Sequence, residues 1–318
     1  MSEPAMTWRE YAVDVFKRFG IYIVLVLIII ASAIMNKNFL TQANITNVVR
    51  SIAVVMMIAC AEQLAITAGM IDLSPGSVVA FAGVVSTGVF VSTQSVVLGV
   101  LAGAGVGGAC GLVNGIILTR YNIPPFIVTL AMQTVARGLA LVYTGGVPIS
   151  NLGAFKWLGQ GFIGPVPVPV FIMALVLFVT WYILTQTRTG RYIYAIGGNE
   201  DAAIATGIKV KRVKRLAYLF GGVFIGIAGV VLMSRVNSGQ PSIGVGYEFD
   251  AITAVVVGGT SLNGGKGSIL GTIAGGLIVG IINNMLNLQN VSSYYQIIAK
   301  GVIIALAVII DVKTKGNK

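Results

Sequence analysis

Histidine is absent from the 318 residues, cysteine occurs twice, and charged side chains make up only 10% of the chain. Each shortage excludes a class of function. Without imidazole there is no ready general acid or base near neutral pH, and the commonest metal ligand is missing. Cys60 and Cys110 both lie in apolar runs. Two such thiols support neither a disulfide framework nor a Cys/His zinc centre, so they read as small packing residues, and no metal site is expected. Acidic residues number 10 against 21 basic ones, and they do not cluster, so no catalytic constellation is visible. The resulting charge of +11 would suggest nucleic acid in a soluble protein. In a membrane protein it marks cytoplasmic loops instead, and no nucleic-acid partner is expected. The N-terminus stays polar to Phe19, and no small-residue cleavage site closes the first apolar run, so a cleavable signal peptide is not expected.

What remains is apolar. Hydrophobic residues reach 56% and mean hydropathy is +0.90. Soluble domains carry about a quarter of their residues as charged ones. Residues 20–35 hold no charge at all, and a spanning helix needs roughly 20 apolar residues, fewer when polar flanks reach the interface. The pattern predicts an all-α, polytopic membrane helical bundle. Ten spans are expected near 20–35, 48–69, 75–92, 95–119, 124–143, 167–186, 214–234, 249–259, 268–287 and 294–311, the eighth unusually short. Short or interrupted spans often mark a transport pathway. Residues 1–19 and 312–318 then form cytoplasmic ends around a transmembrane domain at 20–311.

Glycine is abundant, at 41 residues. Gly103, Gly107, Gly111 and Gly115 recur every fourth residue, as do Gly271 and Gly275. That spacing places them on one helix face, where small residues let membrane helices approach closely. GLVNGII at 111–117 recurs as GLIVGII at 276–282. Five spans apart, the second copy would run in the opposite direction, as in transporters built from two inverted five-helix repeats. Chance matches in Gly/Ile-rich sequence produce the same signature.

Loop charge sets the orientation. Arg188, Arg191, Lys209, Lys211, Arg212, Lys214 and Arg215 share one loop, whereas the opposite side holds Lys37, Lys156 and Arg235. Basic residues favour the cytoplasm, so both termini are expected there, in a bacterial cytoplasmic (inner) membrane.

The basic loop, 187–215, carries the most informative local pattern. Asn199 suits a helix N-cap, and Glu200 and Asp201 would then sit in the first turn, where the helix dipole favours negative charge. Ala202, Ala203, Ile204 and Ala205 would offer a small apolar docking face. Gly207 suits the left-handed residue that ends such a helix. The expectation is one short capped helix between two basic arms.

GRYIYAIGGNEDAAIATGI within this loop resembles the cytoplasmic coupling segment of permeases in the ribose-type family of bacterial ABC sugar importers. NFLTQANITNVVR (38–50), IDLSPGS (71–77), GYEFDAITAVVVGGTSLNGGKGS (246–268) and SSYYQIIAKGVIIALAVIID (292–311) are similar to further signatures of that family, in order and at compatible spacing. Met70 and Pro75 depart from its pattern, both at an expected helix break. The resemblance implies a permease homodimer, two cytoplasmic ATPase subunits or a fused pair, and a periplasmic or surface-tethered sugar-binding protein. It implies monosaccharide or related polyol substrates, with ATP and Mg used by the partner ATPase and no cofactor bound by this chain.

The residues agree that energy must come from elsewhere. A P-loop requires G-x-x-x-x-G-K-[ST]. Counting back from Gly265-Lys266, Thr260 stands where the first Gly belongs and Gly267 where Ser or Thr belongs. Nucleotide binding is therefore not expected, and the chain reads as a transport subunit and not as an enzyme.

Charges inside spans are costly and usually functional. Glu62, Asp72, Arg137, Glu248, Asp250 and Lys300 qualify. Asp72, after Gly69 and before Pro75, either caps the third span or lines the pathway, and Asp250 either caps the short eighth or serves likewise. Sugars favour neutral hydrogen-bonding groups and aromatic faces, which Gln63, Gln133, Asn283, Asn284, Tyr294 and Tyr295 supply. The translocation pathway is expected to include Asp72, Ser74, Ser77, Gln133, Asn283 and Asn284. A secondary symporter using Asp72 and Asp250 stays open as the alternative, although it would need no docking helix.

Overall fold

A computed structural model describes residues 8–292, 294–299 and 301–302, with side chains from Phe19 onward. Helices dominate. They are α1 (Trp8–Met35), α2 (Gln42–Thr67), α3 (Pro75–Thr93), α4 (Val96–Tyr121), α5 (Pro125–Thr144), α6 (Trp157–Gln160), α7 (Val168–Gln186), α8 (Arg188–Gly198), α9 (Glu200–Ala205), α10 (Val210–Val236), α11 (Tyr247–Val257) and α12 (Ile269–Leu288). Two short antiparallel strands, β1 (Phe162–Ile163) and β2 (Val166–Pro167), precede α7.

Local chemistry starts and stops these helices where the sequence places it. The hydroxyls of Thr41, Ser95 and Ser268 accept the exposed amides of Asn44, Leu98 and Gly271 and so cap α2, α4 and α12. Pro75 and Pro125 open α3 and α5, where a missing N–H costs nothing. Residues in the left-handed region close α4 at Asn122, α5 at Gly145 and α10 at Asn237.

By length and composition, α2, α3, α4, α5, α7, α10 and α12 are each able to cross a membrane. The apolar part of α1, Phe19–Met35, has the length of a short span. Because α1 begins at Trp8, the expected boundary at residue 20 is not a helix start. The eighth expected span is α11, whose eleven residues reach about 16 Å, roughly half the hydrocarbon thickness. Of the tenth, residues 294–299 and 301–302 are helical; Lys300, the remainder of that span and the tail 312–318 lie outside the described residues, as do residues 1–7.

The core is built around α2 and α10, whose apolar windows are 83% and 72% buried, against about a third or less in α4, α5 and α7. The last three therefore turn a face outward, toward lipid or a partner chain. The glycine seam on α4 meets α10 in antiparallel order. Gly107 lies against Gly222 and Gly226, Gly111 against Tyr218 and Gly222, and Gly115 against Arg215. A methyl group on Gly111 would overlap the Tyr218 carbonyl oxygen. The repeated heptapeptide behaves differently in its second copy, where Gly276 and Gly280 on α12 accept the side chains of Met56 and Ile52 on α2.

Candidate functional site

Between α10 and α11 the chain does something a lipid-exposed backbone cannot do. Gly239 lies against Thr87 and Ile149, while Gly244 lies against Gly76. Gly76 and Thr87 are eleven residues apart on α3, about 16 Å along its axis. Residues 239–244 thus run back beside α3 toward its first turn without forming a helix, and α11 starts from there. Polar backbone beside a span needs internal partners. Gly239 and Ile149 exchange two bonds of 2.8 and 2.9 Å. The Arg137 guanidinium supplies others: it donates to the carbonyls of Pro241, Ile243 (2.9 Å) and Gly76 (3.4 Å). Arg137 therefore clamps a broken span onto α3, which accounts for its charge within α5.

The clamp borders an open cavity of about 310 Å³, lined by Ser77, Gln133, Thr134, Arg137, Val245 and Glu248. Gln133 Nε2 donates to Glu248 Oε1 at 3.2 Å. Asp72 and Ser74 lie one turn before the cavity. Asp72 Oδ1 accepts from the Ser74 amide (2.8 Å) and hydroxyl (2.6 Å), and Asn114 Nδ2 reaches the same hydroxyl at 3.3 Å. The N-cap position of α3 belongs to Ser74, so Asp72 braces the turn before the helix and does not cap it. Asp250 likewise sits within the first turn of α11, whose N-cap is Gly246.

The structure brings Ser77 and Gln133 together and sets Asp72 and Ser74 beside them. It does not bring Asn283 and Asn284 there. Asn283 reaches Asp250 at 3.4 Å beside a cavity of about 40 Å³, room for roughly one water. Asn284 exchanges two amide bonds with Asn44, of 2.8 and 3.1 Å, tying α12 to the start of α2. Gln63 is also committed: it donates to Thr67 Oγ1 (3.0 Å) and accepts from the hydroxyls of Thr260 (3.0 Å) and Thr272. Tyr294 and Tyr295 are exposed. Glu62 is fully buried in α2, and neither of its oxygens has a hydrogen-bond partner among the described residues.

The basic loop at 187–215 holds two helices, where a single one between basic arms was expected. Thr187 caps α8 by accepting the Gly190 amide at 3.1 Å, and Ile193 and Ile196 bury one face of it. Asn199 then caps α9, accepting the Ala202 amide at 2.9 Å, with Glu200 and Asp201 in the first turn. At the other end Gly207 has φ +81°, and the amides of Gly207 and Ile208 bond the carbonyls of Ile204 (2.9 Å) and Ala203 (3.1 Å). That pair of bonds is the Schellman stop. Glu200 pairs with Lys214 at 2.7 Å, fixing α9 to the start of α10. One expectation is corrected here. Ala203 is 4% exposed and packs into the chain's own core, so it is not on the docking face. Ile204, 56% exposed, stands outward with Ala202 and Ala205.

A second contact was not foreseen. Gly197, at the end of α8, stacks on Gly264 and Gly265 of the loop after α11, and a methyl group there would overlap the Thr67 carbonyl oxygen. The Gly265 amide donates to that carbonyl at 2.9 Å, and Tyr194 Oη donates to the Gly267 carbonyl at 3.1 Å. Burial raises the Tyr194 phenol above its ordinary value, which keeps the donor protonated. The sequence that fails as a P-loop is thus a backbone bridge between α8, the end of α2 and α11.

Comparisons with known proteins agree with this arrangement. Residues 44–308 match the family described as the permease component of the branched-chain amino acid transport system. The ribose import permease of Bacillus subtilis is 44% identical over 302 residues, covering 94% of each chain. The ribose import permease of Escherichia coli K12 is 44% identical over 91% of each chain. The D-allose transport system permease of the same organism is 35% identical over 96% of this chain and 93% of its own. No solved structure matches. With the family match spanning most of the chain and relatives this similar nearly end to end, the protein belongs to that membrane permease family, as a member of its ribose-type sugar import kind.

Proposed function

We propose that this chain is the membrane-spanning subunit through which a monosaccharide, ribose or a related sugar, enters a bacterial cell, driven by a separate ATPase. The relatives are named for ribose, L-arabinose and D-allose transport. The family description covers amino-acid permeases as well, and the cavity favours the sugar: five of its six lining residues are polar, and only Val245 would meet an aliphatic side chain. A symporter finds no support among the relatives, and Asp72 is occupied by Ser74.

The observation that carries the ATP-driven reading is α9. A six-residue helix has no independent stability, yet this one is stopped at both ends, pinned by Glu200 to Lys214, and presents Ile204 outward. Such a knob suits a groove on a cytoplasmic ATPase that uses ATP and Mg, since this chain lacks a P-loop of its own. On this reading the basic loop 187–215 and both termini face the cytoplasm, two copies form the permease, and a binding protein delivers sugar on the opposite side. Residues 20–311 are then the permease domain, in the inner membrane, between cytoplasmic ends.

Ile204→Arg tests it. The side chain is exposed, so the permease should reach the membrane at normal yield, while ATPase co-purification and sugar uptake fall about tenfold or more. Docking would have to bury an unpaired guanidinium. Normal co-purification together with normal uptake would remove α9 as the docking site.

A further inference from the structure

The cavity between α3, α5 and α11 contains one group that the fold leaves without a partner. Glu248 is 2% exposed, and its Oε1 takes the Gln133 amide. Its Oε2 packs against Gly76 at the edge of the cavity and has no hydrogen-bond partner among the described residues. A buried carboxylate oxygen left in that state is costly. The Arg137 guanidinium nearby directs three of its five N–H donors at carbonyls of α3 and the broken span.

The geometry points to a transient binding site here for the ring hydroxyls of one monosaccharide, with Glu248 as the acceptor that recognises them. This rests on the sugar-import reading above and adds the residues that would read the sugar. The lining selects by chemistry. An anion would meet the Glu248 carboxylate and find most of the arginine's donors taken. A metal cation would find a single carboxylate, with an arginine alongside. An aliphatic group would find only Val245. A hydroxyl both donates and accepts. It can donate to the Glu248 carboxylate while accepting from the Gln133 amide or the hydroxyls of Ser77 and Thr134. The volume, about 310 Å³, lies at the small end of ligand cavities and suits one ring. The same six residues lie against the broken span, so a sugar seated there touches the element whose backbone is least regular and best able to shift.

The experiment uses the permease with its partner ATPase in nanodiscs and saturation-transfer NMR with D-ribose, L-arabinose and D-allose as probes. Wild-type protein should show millimolar binding of at least one. Glu248→Gln and Gln133→Leu should weaken that binding about tenfold, the size expected when a charge-assisted hydrogen bond is lost. Thr134→Val, at an exposed position with little bearing on folding, should weaken it about threefold and keeps the test alive if the buried variants fail to assemble. In proteoliposomes with the binding protein, sugar moved per ATP should fall in the same order. Wild-type vesicles that transport a sugar while all three variants bind and transport equally well would overturn the cavity and leave the importer reading standing. Wild-type vesicles that move none of the three sugars would overturn the importer reading itself.

Discussion

Glycine presses backbone against backbone in two places in this molecule, and the two contacts differ in what they join. On the α4–α10 seam, Gly107 and Gly111 lie against Gly222 and Tyr218 of one long antiparallel neighbour. Both partners are regular helices over their whole lengths, so the seam can only hold or fail as a unit. At the glycine bridge of the basic loop, Gly197 meets Gly264, Gly265 and the carbonyl of Thr67, which belong to two different elements, the loop after α11 and the end of α2. One of those elements leads directly back into α11 and the broken span. The first contact is a weld within the core. The second is a joint: on the coupling reading proposed above, motion of α8 and α9 would pass through it to α2 and α11 without compressible side chains in between.

The sharpest way to break the comparison is to add a side chain to the weld. Gly111→Leu should prevent assembly outright, because the new atoms would overlap the Tyr218 carbonyl and the Gly222 backbone, neither of which a rotamer change can move. Overpacking a well-packed interior costs about 1–3 kcal/mol and more where backbone must shift; here a loss of about 3 kcal/mol or more is expected. The measurement is folded yield in the membrane fraction and thermal unfolding in detergent. A stable, normally expressed variant would show that α4 and α10 slide freely and that the seam is not a weld.

Adding the smallest side chain to the joint should produce a different failure. Gly197→Ala would place a methyl group on the Thr67 carbonyl and the Gly265 amide. The Gly264–Gly265 backbone belongs to a loop and can shift, whereas the Thr67 carbonyl ends α2, so the protein should fold with a loss of about 1–3 kcal/mol. The joint should loosen. ATP hydrolysis should continue while sugar moved per ATP falls about tenfold. A proportional drop in both, with coupling intact, would place the bridge with the weld as a purely structural contact.

The weld was legible in the sequence and the joint was not, for a physical reason. Four-residue spacing places Gly103 to Gly115 on one face, so a helical pattern alone announces the seam. Gly197 and Gly264 are far apart in sequence and meet only through the tertiary fold. The caps at Asn199 and Gly207 were readable because capping is local chemistry. The burial of Ala203 was not, since six residues are too few for periodicity to tell which face turns inward. The course of residues 239–244 was hidden too. The short apolar stretch of α11 hinted at a broken span, but nothing near Pro241 signals that its carbonyl partner is Arg137, over a hundred residues upstream.

The smallest expected effect isolates the joint's one side-chain tie. Tyr194 Oη donates to the Gly267 carbonyl at 3.1 Å, and the ring itself packs against the core. Tyr194→Phe keeps the ring and removes only the hydroxyl. A neutral hydrogen bond of this kind is worth about 0.5–1.5 kcal/mol net, and Gly267, next to solvent-accessible residues, can recover part of it from water. The variant should fold with a stability loss of about 0.5 kcal/mol and lose about half of its coupling ratio, far less than Gly197→Ala. Raising the pH should mimic the substitution only in the alkaline range. Because the folded phenol titrates above its ordinary value, the contribution is complete below the ordinary tyrosine range and fades as pH rises through the folded one. Transport per ATP should therefore be flat across neutral pH in both proteins. If Tyr194→Phe uncouples as severely as Gly197→Ala, the hydroxyl and not the glycine stack is the joint, and the distinction between backbone contact and side-chain tie drawn here fails.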